Sequence, residues 1–277
     1  MSPTDPDAEF GVDGDVDGDT DDEADSRAGG APGGDPLLEV SNLSAEVQGF
    51  QVTHGIDLEV GAGEAVGLVG RNGAGKTSTF RAIMGLTPVA NGSVRFHGEE
   101  LLDLRPELIP RRGIGYQPED RDLFTGMTVE ENFRLPIWTS GDSRGIEDED
   151  TVVEDIFGLF SELDHRRDAE VQNLSGGQGK MTAIGRALAL QPDLLLLDEP
   201  LEGLAPVVVE NLKSYIREII DRDISVLIAE SNASHIPDIV DRMYVIERGE
   251  IVDSGDPEVL AEDEEIQLLM QGAGGGA

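Results

Sequence analysis

The sequence predicts an α/β fold with a mostly parallel core sheet, and two observations support this prediction. From Leu37 onward, short apolar segments of strand length alternate with segments that have the length and periodicity of helices. One apolar segment, Ala65–Val69, runs directly into a glycine-rich loop and then a helix. With 277 residues the chain can bury one core, and ligands of such sheets bind at the carboxyl ends of the strands.

The predicted strands are short runs rich in Val, Ile and Leu that are bounded by turn residues. They are Leu37–Val40, Ile56–Val60, Ala65–Val69, Ser93–Phe96, Ile114–Tyr116, Leu194–Leu197, Val226–Ala229, Met243–Glu247 and Glu250–Val252. The run Leu194–Leu197 is apolar throughout, which is typical of a strand buried on both faces of a parallel sheet.

Four longer segments carry helical periodicity or the signals of helix ends. They are Gly75 to about Gly85, Thr128 to about Glu170 with an acidic interruption at Gly141–Asp150, Gly177–Leu190, and Pro206 to about Asp221. Pro206 suits a first helical turn. The buried stripe of the last helix is expected to consist of Val208, Leu212, Tyr215 or Ile216, and Ile219. We expect a helical subdomain inserted at about residues 128–175.

Charge distinguishes the N-terminal segment from the rest of the chain. The chain has 57 acidic and 20 basic residues and a formal net charge of −37. Residues 1–36 contain twelve acids, one arginine and almost no large apolar side chains, so we predict a disordered acidic tail before a folded domain at 37–271. Residues 272–277 are predicted to be flexible. The acidic residues repel one another, and concentrated salt screens this repulsion. The composition therefore favours a salt-rich cytosol, as in halophiles. The strongly negative charge also disfavours nucleic acid as a partner.

Composition also restricts the location and the chemistry. The acidic N-terminus lacks the basic and apolar regions of a secretory signal, and the chain has no apolar run near the roughly 18 residues of a spanning helix. We therefore expect a cytosolic protein that reaches a membrane only through partners. The absence of cysteine excludes disulfides, thiolate metal sites and cysteine nucleophiles.

Residues 70–77 read Gly-Arg-Asn-Gly-Ala-Gly-Lys-Thr and fit the phosphate-loop pattern G-x-x-x-x-G-K-S/T between a strand and a helix. Backbone N–H groups of such a loop surround the β-phosphate of a nucleotide. Lys76 can reach the β- and γ-phosphates, and the Thr77 hydroxyl can ligate Mg²⁺. A glycine-rich turn beside a chance lysine does not explain the flanking strand and helix. The predicted nucleotide contacts are Gly70, Asn72, Gly73, Ala74, Gly75, Lys76, Thr77 and Ser78.

Two carboxylates end the apolar strand Leu194–Leu197. Asp198 at the strand tip is placed to hold Mg²⁺ through water, and Glu199 can polarise the attacking water. A buried strand followed by turn acids would explain these two residues if they stood alone. Beside a phosphate loop, the catalytic interpretation is favoured.

Residues 174–178 read Leu-Ser-Gly-Gly-Gln, and here the chain resembles the ABC ATPase family, whose signature is LSGGQ. The resemblance extends from Leu37 to about Met270. It implies a P-loop NTPase of the ABC ATPase type with an antiparallel N-terminal β portion. It also implies that Ser175, Gly176, Gly177 and Gln178 contact the γ-phosphate of ATP held by a second ATPase subunit, identical or similar, so that two subunits face head to tail. A serine N-cap before a Gly-Gly turn is also present, but it leaves the rest of the pentapeptide unexplained.

Within the family, Gln117 matches the glutamine that touches Mg²⁺ and water and senses the membrane subunit. Segments 124–132, 183–188 and 198–206 resemble the ATPase subunits of branched-chain amino-acid importers. Related urea and amide uptake systems have similar sequences. Such importers combine two ATPases, two permease subunits and an external solute-binding protein. The resemblance therefore implies a peripheral protein at the cytoplasmic face of the membrane. An exporter subunit, a soluble non-transport ABC ATPase and a regulatory nucleotide-binding module are the alternatives.

Several positions depart from the family pattern. Val47 aligns with the aromatic residue that often stacks on adenine, and Phe50 could replace it. Ser231 stands at the switch histidine and Ala205 at the D-loop aspartate. Gly179–Lys180 replaces the usual polar pair, and the glycine weakens the start of a helix by up to about 1 kcal/mol. These departures predict slow turnover in an enzyme that is still active.

Overall fold

The computed structural model describes residues 35–271. Of the tails predicted at residues 1–36 and 272–277, residues 1–34 and 272–277 lie outside the described residues, so those expectations stay predictions. The strands are β1 (Leu38–Val47), β2 (Phe50–Gln51), β3 (Ile56–Val60), β4 (Ala65–Val69), β5 (Val89–Phe96), β6 (Glu99–Glu100), β7 (Ile114–Gln117), β8 (Leu194–Asp198), β9 (Ser225–Glu230), β10 (Arg242–Glu247) and β11 (Glu250–Gly255). The helices are α1 (Lys76–Ile83), α2 (Val129–Ser140), α3 (Glu149–Leu159), α4 (Ser161–Asp164), α5 (Gly176–Leu188), α6 (Pro206–Ile220), α7 (Pro257–Glu262) and α8 (Glu264–Gln271).

Two sheets organise these elements. The six-stranded core sheet has the order β11-β10-β4-β9-β8-β7, with parallel pairing except between β10 and β11. A second sheet, β2-β1-β5-β6 with β3 paired to β1, is antiparallel throughout. The structure therefore confirms the predicted parallel core sheet and the antiparallel N-terminal portion.

The core sheet is buried on both faces. Along β8, Leu195 and Leu197 pack into one apolar cluster with the helical insertion, whereas Leu194 and Leu196 pack into another with α1 and the antiparallel sheet. This alternation is the period of two of a strand, and apolar side chains on both sides explain the unbroken leucine run. Because β4, β7, β8 and β9 run parallel, their carboxyl ends meet at one edge of the sheet.

The N-terminal strands are longer than their apolar runs indicate. β1 continues to Val47 and β5 begins at Val89, whereas the sequence prediction stops at Val40 and begins at Ser93. The pairing of β1 with β5 shifts in register between Ser41 and Ala45. Such irregularities interrupt the alternation of polar and apolar residues by which a strand is recognised.

The helical insertion contains two main helices, so the prediction of helix from Thr128 to about Glu170 is only partly correct. Thr128 is the N-cap of α2, where it forms a capping box with Glu131. The acidic interruption is confirmed, since Asp148 caps α3 with its carboxylate. Beyond Asp164 the chain returns to the core through turns and a short 3₁₀ segment.

Two further differences concern helices. The buried stripe of α6 contains Val209 rather than Val208, together with Leu212, Ile216 and Ile219, whereas Tyr215 is half-buried. The acid-rich helices α7 and α8 have no counterpart in the sequence prediction. Between residues 35 and 271, no helix is both long enough and apolar enough to cross a membrane.

Candidate nucleotide site

The loop between β4 and α1 is shaped by Gly70, which has no room for a side chain, and by Gly75, whose backbone angle favours glycine. A Cβ on Gly70 would lie 2.3 Å from the backbone oxygen of Ile246, so any side chain there would collide with β10. Gly75, the N-cap of α1, has φ of 118°, a conformation that L-residues rarely adopt. The backbone thus folds tightly before the helix, and the positive end of α1 lies next to the loop.

Lys76 reaches back across this loop with its buried ammonium group. Its Nζ donates to the backbone oxygens of Gly70 at 2.6 Å and Arg71 at 3.2 Å. The same nitrogen lies 2.9 Å from Oε1 of Glu199. Lys76 therefore links the loop directly to the carboxylate that follows β8.

Glu199 is held at both oxygens in this structure. One oxygen pairs with Lys76, and Oε2 accepts a hydrogen bond of 3.0 Å from the backbone N–H of Ser231. Its backbone has φ of 50°, the left-handed region, which is uncommon for a residue other than glycine and clusters at functional sites. The carboxylate must leave Lys76 before it can act on water. Nothing in the sequence pattern indicated this ion pair.

Asp198 lies at the buried tip of β8 between two hydroxyl groups. Its Oδ1 accepts from the Thr77 hydroxyl at 3.1 Å, and Oδ2 accepts from the Tyr116 hydroxyl at 3.3 Å. Burial raises the pKa of Asp198 to about 6, and the hydrogen bond from Thr77 opposes that rise. The structure brings together the predicted pair Thr77 and Asp198, and it adds Tyr116, which sequence reasoning missed.

Gln117 ends β7 beside this group with one polar atom unsatisfied. Its Nε2 donates to the backbone oxygens of Pro118 and Asp198, but its buried Oε1 has no hydrogen-bond partner among the described residues. A buried acceptor without a donor is costly. Oxygens of Thr77, Gln117 and Asp198 are the hard donors that Mg²⁺ prefers, so these side chains fit the ion.

The segment Ser175–Gln178 begins α5 with a capping box. The Ser175 hydroxyl accepts from the Gln178 backbone at 3.3 Å, and the Gln178 side chain accepts from the Ser175 backbone at 3.1 Å. Ser175 and Gly176 are exposed, and no hydrogen bond within the described chain joins this segment to the loop at residues 70–77. The Gln178 side chain thus caps its own helix in this structure, and its contact with a nucleotide stays a prediction.

Lys180 connects the start of α5 to the catalytic loop. It is buried, and its Nζ donates to the backbone oxygen of Glu199. Burial lowers the pKa of Lys180, and the positive charge of Arg121 acts in the same direction. The sequence marked Lys180 only as a departure from the family pattern. In the structure Lys180 connects α5, the helix that begins with the Ser175 segment, to the backbone of Glu199.

The remaining predicted contacts lie at the surface or contribute backbone atoms. Val47 and Phe50 face each other across the hairpin of β1 and β2 and are 40% and 75% exposed, so the Phe50 ring and the Val47 methyl groups are open to a base. Ser231 contributes its backbone N–H to Glu199 rather than its hydroxyl. Beside it, the buried Glu230, which sequence reasoning missed, accepts from the backbone of Leu201 at 2.9 Å.

The glycine loop with its buried lysine, next to strand-end carboxylates, defines a nucleoside triphosphatase of the P-loop class. The family model described as ABC transporter matches residues 53–202, which is more than half of the chain. The protein belongs to the ABC transporter family of ATPases, and it is an ATP-hydrolysing subunit of a transporter.

Relatives and solved structures agree with this assignment. The high-affinity branched-chain amino acid transport ATP-binding protein BraG of Pseudomonas aeruginosa is 37% identical over 216 residues, covering 78% of this chain and 91% of BraG. The lipopolysaccharide export system ATP-binding protein LptB of Haemophilus influenzae is 34% identical over 239 residues, covering 85% and 97%. The ADP conformation of MJ1267, an ATP-binding cassette of an ABC transporter, has a TM-score of 0.73 at 26% identity and covers 86% and 99%. These relatives differ in cargo and direction.

Proposed function

We propose that this chain is the ATPase subunit of an importer, in which Mg-ATP binding and hydrolysis at a head-to-tail dimer drive uptake of branched-chain amino acids or a related small polar solute. One observation supports this proposal most directly. Lys76, Asp198 and Glu199 converge at one edge of the sheet, and Ser175 lies apart from them. The importer assignment draws on the 37% identity to BraG and on the sequence of residues 198–206. The likeness to LptB favours an exporter as the second candidate, and solute uptake measured in the assembled transporter separates the two.

The loop at residues 70–78 would hold the triphosphate through its backbone N–H groups and Lys76. Thr77, Gln117 and Asp198 would hold Mg²⁺, which supplies positive charge against the phosphate oxygens. Phe50 or Val47 would cover the adenine ring. Asp198 must be ionised to hold Mg²⁺. Because its pKa is raised, a proton and the cation compete for this carboxylate.

Hydrolysis then requires an exchange of partners. The γ-phosphate takes the ammonium of Lys76 from Glu199, because a triphosphate is the more highly charged acceptor. The freed Oε1 can orient water for in-line attack and accept its proton, while the backbone N–H of Ser231 still holds Oε2. Ser175, Gly176 and Gly177 of the second subunit would complete the site, since no direct hydrogen bond within the described residues joins this segment to the Lys76 loop.

Partners at the membrane would be permease subunits, with a solute-binding protein on the outer side, so that this chain sits peripherally on the cytoplasmic face. A groove of ≈ 480 Å³ between α1 and α5 is lined by Met84, Leu86, Tyr116, Pro136 and Arg186, among others. It adjoins β7, whose last residue is Gln117, so a permease helix seated there would lie next to the Mg²⁺ ligands. That continuity supports the permease as the occupant of the groove.

The dimer can be tested by crosslinking, because the chain contains no cysteine. We expect one preparation carrying Arg71→Cys and another carrying Asn173→Cys, once mixed, to crosslink with a short thiol-reactive linker only when ATP is present. Both positions are exposed and flank the two halves of the proposed site. Each single variant alone serves as the control. If variants that still bind ATP do not crosslink at any salt concentration, the head-to-tail site is wrong.

We also propose that the protein functions in concentrated salt, because its net charge of −37 opposes compaction. The unfolding midpoint temperature is expected to rise steeply as KCl increases from about 0.1 M to about 3 M, since the Debye length falls from roughly 10 Å to below 3 Å. Circular dichroism measures the midpoint, with sucrose as the uncharged control. Complete, stable folding in dilute buffer would contradict this proposal.

A further inference from the structure

Arg121 lies in a strained turn that is fastened to α5. Its backbone N–H closes the turn on the Pro118 carbonyl at 2.9 Å. Arg121 and Asp122 both adopt left-handed backbone angles, with φ of 65° and 48°. The guanidinium of Arg186, on α5, donates to the carbonyl oxygens of both residues. The turn that follows Gln117 is thereby held against the helix that begins with the Ser175 segment.

The side chain of Arg121 occupies the space beside Gly179, where a Cβ would push the guanidinium away. A Cβ on Gly179 would lie 2.7 Å from Nη1 of Arg121, and a Cβ on Gly176 would lie 3.9 Å from Nη2. The guanidinium therefore rests on the first turn of α5. This contact gives a reason for Gly179, where the family has a polar residue and where glycine weakens the helix.

The electrostatic surroundings of Arg121 are unfavourable as they stand. No carboxylate oxygen within residues 35–271 lies within 4 Å of its guanidinium, although the chain has 57 acids. The guanidinium faces the positive end of a helix, and it lies near enough to the buried ammonium of Lys180 to repel its charge. Arg121 and the helix start are at least partly exposed, whereas Lys180 is buried behind them, so an anion that binds at the helix start stabilises all three positive groups.

We propose that Arg121 is a further ligand of ATP, supplied in trans: its guanidinium contacts the triphosphate bound by the Lys76 loop of the other subunit. This inference rests on the proposed head-to-tail dimer. Arg121 and the Ser175 segment then approach the nucleotide together, because both are fixed to α5. Arginine suits this role, since its planar fork matches phosphate oxygens.

Mixing two defective variants tests whether the contact is made across subunits. We expect Lys76→Ala and Arg121→Ala each to lower kcat for ATP hydrolysis strongly, the latter by about 10- to 100-fold. A mixed dimer of the two contains one intact site if Arg121 acts in trans, and none if it acts on its own subunit's nucleotide. An equal mixture should therefore regain activity, up to about a quarter of the wild-type rate, because half of the dimers are mixed.

Two glycine variants keep the test independent of any folding defect in Arg121→Ala. Gly179→Ala should displace the guanidinium while keeping its charge, and so lower kcat without lowering the unfolding temperature. Gly158→Ala, where a Cβ meets open space in α3, is its matched control. Arg166→Ala, at an exposed arginine far along the chain, controls for the loss of one positive charge.

Each result decides the matter. Wild-type activity in Arg121→Ala, or in Gly179→Ala, overturns the proposal, as does a mixture that regains nothing while the Arg71→Cys and Asn173→Cys preparations still form ATP-dependent crosslinks. If the Arg71→Cys and Asn173→Cys preparations fail to crosslink with ATP present, the head-to-tail dimer fails instead. Recovery in the mixture, with Gly158→Ala and Arg166→Ala unimpaired, supports the trans contact.

Discussion

Glu199→Gln is expected to lower kcat for ATP hydrolysis by about 10²- to 10⁴-fold, because an amide cannot accept the proton of the attacking water. ATP binding should be kept or become tighter. In the wild-type protein the carboxylate pairs with the ammonium of Lys76 at 2.9 Å, and ATP must displace it. The amide forms no ion pair, yet its oxygen can still accept from the Ser231 backbone.

Single-turnover hydrolysis and equilibrium binding of ATP measure these two effects separately. The variant should also accumulate ATP-bound dimers, visible by size-exclusion chromatography, since hydrolysis no longer opens them. Glu202→Gln is a matched control, because this glutamate lies in the same loop but is exposed, and it should keep wild-type turnover. Unchanged turnover in Glu199→Gln would remove this residue from the proposed role.

The parts of the fold that the sequence predicts well are those set by local pattern. Ile56–Val60 and Ala65–Val69 have the predicted bounds, because each is a short apolar run between turn residues. The phosphate loop was recognisable because its glycines, lysine and threonine occur at fixed spacing beside a strand. Asp198 was placed correctly for a related reason, since the strand before it is apolar on both faces and must end where polarity returns.

The side-chain contacts within the site could not be predicted in the same way. Tyr116 meets Asp198 from 82 residues away, and such a pair leaves no local periodicity. Lys180 looked like a defect in a family motif, yet it donates to the Glu199 backbone. Gly179 likewise looked like a weak helix start. The side chain of Arg121, which lies against it, explains why glycine stands there. Departures from a motif thus became interpretable only when the contacting elements were known.

These contacts have a common consequence for the nucleotide-free state. Lys76, Glu199 and Lys180 form a connected chain from the phosphate loop to the start of α5. Exchange of Lys76 from Glu199 to a phosphate frees one end of that chain. The Ser175 segment is fixed to the other end. In the proposed head-to-tail dimer, binding of nucleotide in one subunit is therefore linked to the surface that would meet the second nucleotide.

Asp198→Asn is expected to abolish turnover and, in the metal-free protein, to raise the free energy of unfolding. Burial raises the folded-state pKa of Asp198 to about 6 from 3.8, so the folded protein binds this proton more tightly than the unfolded chain does. Its contribution is therefore favourable below pH about 4 and is lost as pH rises to about 6. Above that, the whole of this contribution is missing, and the difference of up to about 3 kcal/mol is the cost of burying the ionised group. Asparagine removes this cost.

Urea unfolding in EDTA at constant high KCl, followed between pH about 4 and about 8, measures the difference. The advantage of Asp198→Asn over wild type should grow from pH about 4 to about 6 and then stay constant. Asp168→Asn, at an exposed aspartate, should show no such trend. Equal pH slopes in Asp198→Asn and wild type would contradict the buried, proton-binding state. With Mg²⁺ and ATP the order should reverse, because only the carboxylate gains from the cation. Asp198 would thus trade stability of the nucleotide-free protein for affinity towards Mg-ATP.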